Sequence, residues 1–98
     1  MAAPVFIGGE VAGAGFRLAG AEVRVPAPGE EAAALEAARA SASLVMIDAA
    51  VAARLSPQIL RAAVSATAPL TVVVPDLQAE ADYPELAARL RRQLGIDA

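Results

Sequence analysis

Ninety-eight residues make one small domain, because a chain of this length buries only about 60% of the surface its unfolded form exposes and supports a single modest core. Although 57% of the residues are hydrophobic, 27 of them are alanine and no apolar run approaches the roughly 18 residues that span a bilayer, so a soluble chain without membrane insertion is expected. A net charge of −3, three aromatic side chains and no basic cluster beyond Arg89, Arg91 and Arg92 exclude nucleic acid as an expected partner.

In chain order, Pro4 to Ile7 is a short apolar run stopped by Gly8 and Gly9, the pattern of a buried strand ending in a turn. Val11 to Ala19 predicts one or two helical turns packed on the sheet, with Phe16 and Leu18 as the anchors and Gly20 as a left-handed stop. Ala21 to Val25 alternates charged and apolar residues and suits an edge strand. Pro26, Pro28 and Gly29 form a turn, after which Glu30 and Glu31 place negative charge in the first turn of a helix running to about Ala42. Leu35 is the one large apolar residue of that helix, so with Ala34, Ala38 and Ala42 beside it the helix must lie close to whatever it covers.

Leu44 to Ile47 is the most continuous apolar run and predicts a central strand buried on both faces. A short alanine-rich turn follows Asp48, and Ser56-Pro57 starts a helix whose apolar face is Ile59, Leu60, Ala63 and Val64. Leu70 to Val74, between Pro69 and Pro75, is a fourth strand. Residues 1–76 are thus expected to form an α/β domain, 77–81 a polar linker, and 82–98 a closing helix. That helix opens on an Asp82/Glu85 capping box and carries the stripe Tyr83, Leu86, Leu90 and Leu94, which is expected to pack on the domain's own sheet or, as a mobile appendage, on another chain's helices. The alternation implies a four-stranded parallel sheet with helices on both faces, and the hydrophilic second strand at a margin gives the flavodoxin-like order 2-1-3-4. Any pocket belongs at the switch between the first and third strands.

The missing residue types limit the chemistry. Without histidine, cysteine or lysine there is no ordinary general base, thiolate, Schiff-base amine or P-loop lysine, and no ligand set for zinc, haem or iron–sulfur clusters. Only carboxylates remain, so no catalytic residue and no cofactor are expected. Glu10 and Asp48 follow the first and third strands and would meet at the sheet's carboxyl edge, as in a phosphorylatable receiver. A receiver also needs a lysine, however, and Asp48 directly precedes a helical segment, so a capping role is expected. Gly8, Gly9, Gly13 and Gly15 do not match the dinucleotide spacing and read as backbone punctuation, with an anion nest as the alternative. Lack of a basic segment ahead of an apolar one at residues 1–9, together with the absence of cysteine, places the chain in the cytoplasm as an expectation.

Gly15-Phe16-Arg17-Leu18-Ala19-Gly20, a few residues after Val5-Phe6-Ile7-Gly8, resembles the corresponding segment of the F subunits of the V/A-type rotary ATPases. The ending is similar too, with Asp82-Tyr83-Pro84-Glu85-Leu86 leading to Leu94-Gly95-Ile96. The resemblance implies a non-catalytic component of the central rotor stalk, cytoplasmic and peripheral to the membrane. Its partners would be the coiled-coil shaft and the catalytic head, whose ATP turnover coupled to proton or sodium transport it would modulate. Leu86, Arg89, Leu90, Arg92 and Leu94 of the closing helix are the expected contacts to the shaft. A receiver-like signalling module and a small-ligand-binding α/β domain are the competing expectations.

Overall fold

The first strand, β1 (Val5–Ile7), is the hub of the architecture. All three of its residues are buried, and it pairs in parallel with β2 (Glu22–Arg24) on one side and β3 (Leu44–Asp48) on the other. β4 (Leu70–Val74) pairs in parallel with β3, giving the order β2-β1-β3-β4 expected from the sequence. The computed structural model describes residues 3–75; the expected linker and closing helix, with Leu86, Arg89, Leu90, Arg92 and Leu94, lie outside the described residues.

Strand alternation divides the core in two. Val5, Ile7, Val45 and Ile47 point to one face, which is covered by α2 (Glu31–Ser41), α3 (Ala49–Arg54) and α4 (Pro57–Ser65) through Leu35, Ala38, Val51, Leu55 and Ala63. Ala38 is completely buried, so α2 does approach as closely as its alanines require. Arg39 of α2 reaches over this layer, its Nη1 donating to the Ala63 carbonyl at 2.9 Å and to Thr71 Oγ1 at 3.4 Å. Phe6 points to the other face, where α1 (Glu10–Leu18) stacks Phe16 on it with ring centroids 4.2 Å apart and planes 11° from parallel. Gly13 seats this helix on β2, since a Cβ there would come within 2.6 Å of the Val23 side chain.

Four expectations change. Leu18 does not anchor α1: it is 92% exposed, because two helical steps beyond Phe16 turn it by about 200° to the far side. The alanines after Asp48 extend beyond the expected short turn into the six-residue helix α3, which Asp48 caps. Of the α4 stripe, Ala63 is buried and Leu60 half-buried, while Ile59 and Val64 stay exposed; the small alanine lets the helix rest on one narrow line. β3 is fully buried on the Val45/Ile47 face only, with Leu44 and Met46 half-buried, because α1 lies over the β1–β2 half of the second face. Among the described residues, no helix is long and apolar enough to cross a membrane.

Candidate functional site

The sheet opens at the carboxyl ends of β1 and β3, where the crossovers leave in opposite directions, and the expected cleft is found there. It encloses about 350 Å³ between Gly8, Gly9 and Glu10 on one side, Asp48, Val51 and Arg54 on another, and Val25 with Pro26. The structure therefore brings Glu10 and Asp48 to one cleft, as the topology predicted.

Asp48 is fully engaged in holding that edge together. Its Oδ1 accepts from the Val51 amide at 2.8 Å and so caps α3, while its Oδ2 accepts from the Gly9 amide at 3.0 Å across the cleft. One carboxylate thus fixes both the loop after β1 and the loop after β3. Gly8 makes room for it, since a Cβ there would lie 2.5 Å from Asp48 Oδ2 and 2.5 Å from the Phe6 ring. The anion-nest alternative fails on backbone geometry: a nest alternates right- and left-handed residues, and Gly8, Gly9, Gly13 and Gly15 are not among the positive-φ glycines, which are Gly20 and Gly29.

A buried carboxylate beside the cleft has no counterpart among the sequence expectations. Glu31 is only 4% exposed, and its Oε1 accepts from the Gly29 amide at 2.9 Å while Oε2 pairs with Arg54 Nη1 at 3.4 Å. The preceding turn creates the opportunity: Glu30 N–H donates to the Ala27 carbonyl at 2.9 Å, with Pro28 and a positive-φ Gly29 between, the pattern of a type II turn. The Pro-Gly-Glu-Glu string is the available signal, although by itself it points only to helix-start charge. The backbone amides of Glu31 itself and of Gly29, with Arg54, hold the Glu31 carboxyl below its ordinary value of 4.5, against the opposing effect of burial.

A group whose folded pKa is depressed stabilises the fold above its unfolded pKa, and that contribution is lost as pH falls through the folded value. Stability is therefore expected to decline as pH drops below about 4.5, and Glu31→Gln is expected to flatten this acid limb while lowering stability at neutral pH. Urea titrations at stepped pH check it; superimposable pH profiles for Glu31→Gln and the native chain would refute it.

The hexapeptide Gly15 to Gly20 divides by role. Ala19 caps α1, Gly20 at φ +101° donates to the Arg17 carbonyl at 3.1 Å, and Ala21 donates to the Phe16 carbonyl at 3.0 Å. This is a complete Schellman ending, so Phe16, Ala19 and Gly20 serve the fold. Gly15, Arg17 and Leu18 are exposed, and a Cβ at Gly15 would meet nothing within 4 Å. Val11 lies seven residues before Leu18 on the same outer side and is 69% exposed.

Among the described residues there is no group of three or more acidic side chains placed to hold a metal ion. Compared with family models, curated proteins and solved structures, the chain gives no significant match.

Proposed function

We propose that this chain is a non-catalytic interaction component of the central stalk of a V/A-type rotary ATPase, cytoplasmic and peripheral to the membrane. It binds the coiled-coil shaft and modulates ATP turnover by the catalytic head. Leu18, 92% exposed on the same outer side as the exposed Val11, carries the reading: this apolar pair, half of it in the very hexapeptide that resembles the family, has no task within the described fold. With Val11 it lines one side of α1, and Arg17 beside it can orient a partner by charge. The Schellman ending and the Phe16 stack supply the rigid mount that such a contact needs. Arg89 and Arg92 of the closing segment are the second proposed contact.

Coexpression with the shaft protein encoded in the same genome is expected to yield a one-to-one complex on size exclusion. Arg17→Glu with Leu18→Asp is expected to weaken it strongly while lowering the melting temperature by only several degrees, the cost of placing two acids at the C-terminal end of α1, because neither side chain is buried. Arg89→Glu with Arg92→Glu is expected to weaken it in a salt-dependent way. Absence of any complex with the shaft would overturn the assignment. Binding of a nucleotide or other small ligand in the Asp48 cleft by the isolated chain would favour the ligand-binding alternative.

A further inference from the structure

The two faces of the sheet are covered unequally. α2, α3 and α4 close one face, whereas on the other α1 covers β1 and β2, and among the described residues no helix closes β3 and β4. Register places Leu44 beside Leu70 and Met46 beside Val72 on this second face, with Val74 beyond. Leu70 is 51% and Val72 39% exposed, and the other three are half-buried. A lone exposed leucine is ordinary, but five contiguous apolar side chains over two central-to-edge strands mark a surface that something covers.

We propose that this strip is the seat of the chain's own residues 82–94. β4 ends at Val74, so the chain leaves the sheet at the end of the strip itself, with residues 76–98, 23 in all, lying outside the described residues. A helix over 82–94 is about 20 Å long, and a five-residue strand about 17 Å, so a helix running back along β4 covers the strip lengthwise. Tyr83, Leu86, Leu90 and Leu94 share one side at three- and four-residue spacing, and Arg92 falls opposite. A second copy or a partner's helix could also offer an apolar side, but a short tether presents this segment at an effective concentration in the millimolar range, which an outside helix must outcompete.

This docking does not depend on the rotor assignment. It does move Leu86, Leu90 and Leu94 from the partner surface to the chain's own core, leaving Arg89 and Arg92 at the margin and outer side for a partner.

Tyr83 is the only tyrosine and there is no tryptophan, so the emission of the unmodified full chain reports on this segment alone. Tyr83 is expected to be shielded from acrylamide relative to N-acetyltyrosinamide, with the shielding independent of protein concentration, and Val72→Asp is expected to abolish it. In the unmodified chain, methyl nuclear Overhauser contacts are expected from Leu86 or Leu90 to Met46 or Val72, a readout that survives even if Val72→Asp fails to fold. Quenching equal to the free amide, or absence of those contacts, overturns the proposal. So does shielding that disappears on dilution, which seats a second copy on the strip, or shielding that persists in folded Val72→Asp, which seats the segment elsewhere.

Discussion

Phe6→Ala is expected to cost about 3–5 kcal/mol, enough to leave a domain of this size largely unfolded at ambient temperature. Phe6 is fully buried in a central strand that carries two of the sheet's three ladders, and its ring is the floor on which Phe16 stacks and beside which Gly8 turns. Removing it opens a cavity under α1 and deletes the stacked pair, worth about 0.5–1.5 kcal/mol beyond its buried area. Phe16→Ala is expected to cost less, since that ring is half-exposed and leaves a groove that water can fill. Leu18→Ala should stay within about 0.5 kcal/mol of the native chain. Circular-dichroism melts of the three variants give the order directly, and a Phe6→Ala melt close to native would refute the placement of this second core.

Gly8→Ala is the other large effect, at about 1–3 kcal/mol. Its cause is steric rather than conformational, because Gly8 is not a positive-φ residue and the new Cβ meets Asp48 Oδ2 and the Phe6 ring, each at 2.5 Å. Displacing Asp48 also loosens its bonds to Val51 and Gly9, so part of the loss comes from both loops at once. Asp48→Asn keeps one amide acceptor and is expected to cost about 1 kcal/mol. Because Gly8 and Asp48 share one space, the double-mutant cycle of Gly8→Ala with Asp48→Ala should show coupling of at least about 0.5 kcal/mol. Strict additivity in chemical denaturation would mean that the carboxylate moves aside freely and clamps nothing.

The sheet order is legible in the chain because its signals are local and strong: short, mainly apolar runs closed by glycine, proline or aspartate, and one charged strand that can sit only at a margin. Caps are legible for the same reason, with Asp48 accepting from Val51 and Ser56 accepting from the Ile59 amide at 3.1 Å. Side-chain direction on short helices is not. Phe16 and Leu18 both look like anchors in a string, yet α1 begins at Glu10 and only its phase decides that Phe16 faces the sheet. Ile59 and Val64 mislead similarly, because a helix seated on an alanine buries a narrow line rather than a broad face. Glu31 and Arg39 escape sequence reasoning because their partners, Arg54 for the first and Ala63 with Thr71 for the second, are at least 23 residues away and meet them only once the layers are stacked. Topology places the cleft correctly, but Asp48's second bond, to Gly9, depends on the close approach that Gly8 allows.

Gly13, Ala38 and Ala63 are the points on which α1, α2 and α4 rest, and this sets which substitutions the chain can absorb over generations. At such seats volume is the restricted quantity, so an apolar but larger residue such as valine or leucine pushes a whole helix off the sheet. Serine at Ala38 or Ala63 adds one atom and can return its hydroxyl to a carbonyl of the preceding turn, which makes the polar change milder than the apolar one. Ranking variants by hydrophobicity would invert the true order at these positions, and alleles carrying small polar residues there should persist where bulkier aliphatic ones are lost.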